Sequence, residues 1–196
     1  MDNKELLIFN KSLEEKVAVM RESNLNYLLN FLKKHQYLKE ILEIGTGCGY
    51  SSYCLSKLNS ITKITTLEKD LKRFQIAQTF LSTISKIKVI NIDAINFIET
   101  TKNKYDVIII DGPKKHNLSI LQKALTLINS NGICVIDNFY LKDLHSRYKN
   151  TKEKRLKTIL ENNNFLQNYV NHLDKKRYNL FIDTSGDGLV IIESIK

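Results

Sequence analysis

Proline is almost missing from this sequence. Its single instance, Pro113, leaves no proline-rich linker, and neither repeats nor low-complexity segments divide the chain. No apolar run approaches the ~20 residues that a membrane-spanning helix needs. The opening stretch "MDNKELLIFNKSLEEK" sets acids among short apolar clusters, so it reads as a helix and not as a signal peptide. Cysteine is scarce too. Cys48, Cys54 and Cys134 are odd in number and lack metal-ligand spacing, which argues against a disulfide framework or a zinc site and for small buried thiols in a reducing compartment. A cytoplasmic protein with no membrane attachment is the expectation. Only seven glycines occur, each at a predicted strand end or turn.

What remains is globular in composition, with 42% hydrophobic and 26% charged residues among 196, most simply one domain over 1–196. The formal charge is +9 and the pI near 9.3. That excess reflects either a lysine-rich composition or an anionic partner such as RNA.

Residues about 3–19 and 23–35 read as two helices, the second with Leu25, Leu28, Leu29 and Leu32 at helical spacing. They form an N-terminal part, 1–38, ahead of a core over 39–196. In the core, Ile- and Val-rich runs at 39–45, 61–68, 86–93, 105–111 and 132–138 alternate with amphipathic segments such as 70–82. Nearly continuous apolarity suits strands covered on both faces, so a doubly wound, Rossmann-like α/β sheet is predicted. The terminal "RYNLFIDTSGDGLVIIES" reads instead as an antiparallel hairpin.

After the first strand comes "LEIGTGCGYSS". Glycines let the backbone turn tightly and approach a ligand at the following helix. A dinucleotide fingerprint would need a third glycine where Tyr50 stands. The pattern Glu43-x-Gly45-x-Gly47-x-Gly49 resembles instead the first motif of S-adenosylmethionine (SAM) enzymes, a resemblance that implies cofactor contacts for Glu43, Gly45 and Gly47, with Ser51 placed to hydrogen-bond the ligand's carboxylate. Glu68 ends the second strand, where a carboxylate accepts ribose hydroxyls. Asp93 and Ala94 end the third, where they can frame an adenine.

In such a sheet, ligands sit beyond the carboxyl ends of the strands. Asp111 ends the fourth run, and Asp137 with Asn138 ends the fifth. Two carboxylates and an amide suit a hard divalent ion such as Mg²⁺. Lys114, three residues past Asp111, is a candidate base for a substrate hydroxyl, with Lys115 as its rival. Pro113 would restrict the loop that carries them.

Taken together, a parallel sheet closed by an antiparallel hairpin, the glycine motif and the Asp…Asp-Asn set resemble the class I methyltransferases. Within them, the resemblance is to the metal-dependent catechol and caffeoyl-CoA O-methyltransferase family, over nearly the whole chain. It implies Asp111, Asp137 and Asn138 as metal ligands, Lys114 as base, Asp111 beside the cofactor, and a homodimer. "VAVMRES", "LEIGTGCGYSS" and "SGDGLVIIES", with a basic segment after "DNFYLKD", are similar to the small bacterial tRNA 5-hydroxyuridine methyltransferases, which implies a cofactor contact for Met20. The turn Asp-Gly-Pro-Lys replaces that family's usual Asp-Ala-Ala-Lys. Residues 141–157 carry seven cations against two acids, a net +5 of the chain's +9, and tRNA phosphates would meet them at 142–157. A small catechol-like substrate, and a binding-only RNA module, are the competing expectations.

Overall fold

The computed structural model describes residues 1–112 and 114–195. Pro113, expected to stiffen the turn before Lys114, lies outside them. The chain runs α1 (Asn3–Glu14), α2 (Glu22–Lys34), β1 (Glu40–Ile44), α3 (Tyr50–Ser56), β2 (Lys63–Glu68), α4 (Leu71–Leu81), β3 (Ile87–Asn91), α5 (Ala94–Thr100) and β4 (Tyr105–Ile110). After a 3₁₀ turn at Lys114–His116 come α6 (Asn117–Leu127), β5 (Ile128–Asp137), α7 (Lys142–Thr151), α8 (Lys154–Asn171), β6 (Tyr178–Asp183) and β7 (Leu189–Ser194).

The strands form one sheet in the order β3-β2-β1-β4-β5-β7-β6. The first five are parallel, whereas β7 pairs antiparallel with both β5 and β6. The doubly wound sheet and its terminal hairpin are therefore as the apolar runs predicted. β4 shows why those runs lack alternation: Val107 and Ile109 join the core on one face, and Ile108 and Ile110 join the core on the other. All four are fully buried, each contributing roughly 1.5–3 kcal/mol. Helices α1–α4 cover the first face and α5, α6 and α8 the second. Helix α7 buries nothing.

Two expected boundaries move. The first helix stops at Glu14 and not near 19, because Lys16 takes a left-handed conformation (φ 54°) and the Val17 amide donates back to the Ser12 carbonyl at 2.9 Å. Strand β5 starts at Ile128, ahead of the expected 132. Tyr105 pairs with Ile128 and Val107 with Ile133, so β5 bulges there, and Gly132 sits within the strand. A β-carbon on Gly132 would come within 2.9 Å of the Asn129 carbonyl and 3.0 Å of the Asp106 carbonyl, which is why the bulge carries glycine.

From β1 the chain winds outward through β2 to β3, then crosses back to place β4 on the other side of β1, which makes the gap between β1 and β4 the switch point of the sheet. The chain parts at that switch point, and a cleft opens beyond the carboxyl ends of the strands.

Candidate active site

The cleft encloses about 730 Å³. Every strand of the parallel set delivers residues to it: Gly45, Thr46 and Gly47 after β1, Glu68 from β2, Asp93 and Ala94 after β3, Asp111 after β4, and Asp137 and Asn138 from β5. The break at Lys16 adds Val17, Ala18, Val19 and Met20 as one wall. Gly45 is indispensable to the geometry. Its φ is +103°, and a β-carbon there would overlap the Asp111 carbonyl, so β1 and β4 could not lie this close with any other residue.

The nucleotide half is organised by Glu68. Its Oε2 accepts the Gly47 amide at 2.9 Å and its Oε1 the Asp70 amide at 2.9 Å. Each oxygen keeps a lone pair, and the side chain faces the cleft, so a ribose diol fits it. Asp93 is differently employed. It caps α5 through the Ile95 amide at 2.9 Å and pairs with Lys69 at 2.8 Å, and these contacts hold its carboxylate below the usual range. Ala94 beside it lines the cleft.

Glu43 does not line the cleft. It is fully buried beneath the glycine loop, accepting hydroxyls from Ser51 at 2.5 Å, Thr66 at 2.6 Å, and Ser52. Burial raises its pKa against these three donors. Ser51 reaches the cleft wall, but its hydroxyl proton is committed to Glu43, so the donor expected for a ligand carboxylate is already in use. Glu43 shapes the loop from below.

At the other end of the cleft, Asp111, Lys114, Asp137 and Asn138 converge. The Lys114 ammonium lies 3.4 Å from Asp111 Oδ1. Burial pushes the Asp111 carboxyl up, opposed by Lys114 and reinforced by the charges of Asp137 and Glu43. Burial likewise raises Asp137, opposed by a hydrogen bond from Asn24 and by Lys114. Two carboxyl groups and an amide thus face one corner of the cleft, an oxygen donor set of the kind that suits a hard divalent cation. Lys115 is exposed and is not part of the cleft lining; its carbonyl accepts from Asn162 at 3.3 Å. Of the two lysines, Lys114 lines the cleft and Lys115 does not.

The loop after β5 is tightly held. Asn138 and Leu141 are left-handed, at φ 55° and 49°. The Phe139 carbonyl accepts from Asn163 at 3.0 Å and Gln167 at 3.3 Å. The Phe139 and Tyr140 amides donate to the Gly188 and Asp187 carbonyls of the β6–β7 turn at 3.0 and 2.7 Å. The terminal hairpin thus fixes the position of Asn138.

The family model described as O-methyltransferase matches residues 5–194. The chain belongs to the O-methyltransferase family. Solved structures share the fold of this O-methyltransferase across nearly its whole length. A Staphylococcus aureus protein described as a caffeoyl-CoA O-methyltransferase superposes with a TM-score of 0.80 at 23% identity, covering 99% of this chain and 93% of its own. TomG from Streptomyces achromogenes, of tomaymycin synthesis and solved with SAM, gives 0.77 at 18%, covering 100% and 91%. An rRNA methylase from Streptococcus thermophilus gives 0.67 at 15%, covering 91% and 100%. Membership of an enzyme family sets a binding-only module aside.

Sequence reasoning missed one residue that stands behind this methyltransferase's cleft. Asn24 of α2 donates to Asp137 Oδ1 at 2.6 Å. The available signal was an amide in the first turn of a helix whose Leu25, Leu28 and Leu32 are all buried. A polar residue on an apolar face requires a partner.

Proposed function

We propose that this O-methyltransferase moves a methyl group from SAM to the 5-hydroxyl of 5-hydroxyuridine at the wobble position of tRNA, giving 5-methoxyuridine, with Mg²⁺ as cofactor. The observation that carries the reading is the meeting of Glu68, Asp111, Lys114, Asp137 and Asn138 in one cleft, a diol acceptor at one end and an oxygen-rich corner at the other.

The donor set fits both groups. Met20, the Gly45–Gly47 backbone, Glu68 and Ala94 would hold SAM, whose sulfonium supplies an electrophilic methyl. Asp111, Asp137 and Asn138 would hold Mg²⁺, which supplies a Lewis acid that lowers the pKa of a neighbouring hydroxyl. Lys114 lies within reach of that corner, 3.4 Å from Asp111. As the neutral amine it would take the hydroxyl proton while the acceptor oxygen attacks the methyl carbon and the sulfur leaves with the C–S bond pair as the neutral thioether. The ammonium so formed, held by Asp111, would pass its proton to solvent before the next turnover.

Support for RNA comes from helix α7 and the start of α8, which hold the basic segment. They begin at Lys142, just past Asn138, and α7 has no buried residue. Arg147 pairs with Glu153 at 3.2 Å and Lys157 with Glu161 at 3.7 Å. Among the described residues, Lys149, Lys154 and Arg155 have no acidic partner. Such cations beside a cleft suit phosphates. The 5-hydroxyl and O4 of the base also present two adjacent oxygens, as a catechol does. The fold alone does not decide: it serves both TomG and an rRNA methylase.

The test is transfer from labelled SAM to tRNA containing 5-hydroxyuridine, with a simple catechol in parallel, followed by nucleoside mass spectrometry. Labelled 5-methoxyuridine is the expected product. Methylated catechol with untouched tRNA would replace the substrate assignment and make the basic segment ordinary surface.

A further inference from the structure

We propose that Asn24 is a positioning residue for the reaction: its side-chain amide sets the orientation in which Asp137 takes a divalent cation. The inference rests on the reading of Asp111, Asp137 and Asn138 as the cation-holding set.

Asn24 has no exposed surface. It lies in the first turn of α2, 113 residues from its partner, and its Nδ2 donates to Asp137 Oδ1 at 2.6 Å. Asp137 is itself only 1% exposed. A carboxylate only accepts, so the amide must present its nitrogen and not its oxygen. A hydrogen bond to an ionised group in such a dry setting is stronger than a neutral one. Burying an amide for structure alone is an expensive choice on a helix face otherwise made of leucine. Here the amide stands directly behind a carboxylate that opens on the cleft.

Among the described residues, the one side chain that hydrogen-bonds the second oxygen of Asp137 comes from its own loop, Asn138 Nδ2 at 3.0 Å. Asn138 belongs to the proposed cation set, so its side chain cannot also serve as a fixed outside reference. Asn24 does serve as one. Among the described residues it is the only side chain from another element that hydrogen-bonds the Asp137 carboxylate. Its own place is secured three residues earlier, where Arg21 pairs with Asp143 of α7 and, at 3.3 Å, with Asp187 of the β6–β7 turn. Four residues before Asn24, Met20 lines the cleft. One short stretch of chain therefore reaches the cofactor wall, helix α7, the β6–β7 turn and the acidic corner. Partners of this outer kind fix which lone pair a ligating carboxylate presents, and their loss typically weakens metal binding by roughly 10–100-fold.

The experiment measures Mn²⁺ binding by electron paramagnetic resonance of free Mn²⁺, beside SAM affinity and thermal melting, on the full chain. Asn24→Leu removes the donor at similar volume; Asn24→Ala serves if the leucine does not fold. The expected result is a Kd for Mn²⁺ raised about 10-fold or more, an unchanged Kd for SAM, and a kcat that recovers with excess Mn²⁺. Unchanged Mn²⁺ affinity in a folded variant overturns the inference, as does parallel loss of SAM and Mn²⁺ binding, the mark of a merely structural role. Asp137→Ala separates the two levels. If wild type binds Mn²⁺ and Asp137→Ala does not, the cation reading stands and Asn24 is judged on its own. If wild type binds none, or Asp137→Ala binds as well as wild type, the cation reading falls and the inference falls with it.

Discussion

Replacing Glu43 by alanine should lower stability and leave SAM affinity alone. The carboxylate accepts from three buried hydroxyls, those of Ser51, Ser52 and Thr66. At roughly 0.5–1.5 kcal/mol net for each bond, their loss sums to about 3 kcal/mol. Relief of a buried acid offsets part of this, and the cavity left by the side chain adds to it. For a chain of this length, ~3 kcal/mol corresponds to a Tm lower by roughly 6–12 °C. Glu43→Gln keeps the shape and should cost about 1 kcal/mol, because the hydroxyls can turn to meet the amide. The pH dependence has a definite sign. Burial raises the folded-state pKa of Glu43 above its ordinary 4.5, so the folded state holds the proton to higher pH than the unfolded one. The corresponding stability is complete below the ordinary value and is lost as pH rises through the folded value. Glu43→Gln cannot titrate, so its stability relative to wild type should improve between about pH 5 and about pH 8. Urea unfolding at both pH values and equilibrium SAM binding check this. A tenfold loss of SAM affinity in Glu43→Gln with unchanged unfolding would refute the reasoning and restore Glu43 as a ligand contact.

Other perturbations test separate parts of the cleft. Lys114→Ala should lower kcat by about 10²–10⁴-fold, the usual span for a general base, with SAM affinity kept; steady-state kinetics and an unchanged kcat would remove it as base. Replacing Lys152, Lys154 and Arg155 by glutamine should weaken tRNA binding and flatten its salt dependence by up to about two units of log–log slope, read by titration at several salt concentrations. Gly188→Ala forces a β-carbon into the Tyr140 ring at a left-handed glycine. It should displace the loop after β5 and reduce turnover more than SAM binding, which paired kcat and Kd measurements would show.

The parallel strands were legible because burial on both faces demands unbroken apolar runs, as in Val107–Ile110. The strand-end acids were legible for the same reason: Glu68, Asp111 and Asp137 each interrupt such a run where the sheet meets solvent or ligand. Contacts across long sequence separation were not. Asn24 looks like an ordinary polar residue until α2 is laid against β5. Glu43 looks like a ligand contact until Ser52 and Thr66 are seen to surround it. The break at Lys16 had no local cue, since lysine is a good helix former. The start of β5 was hidden because "NSNG" reads as a turn, and only its pairing with β4 makes it strand.

The most direct test of the central claim is methyl transfer by protein stripped with EDTA, assayed on 5-hydroxyuridine tRNA with labelled SAM before and after Mg²⁺ is restored. The account predicts transfer that vanishes on stripping and returns with the ion, while SAM binding persists throughout. Transfer at the same rate in EDTA would contradict it, leaving Asp111, Asp137 and Asn138 without the role assigned to them.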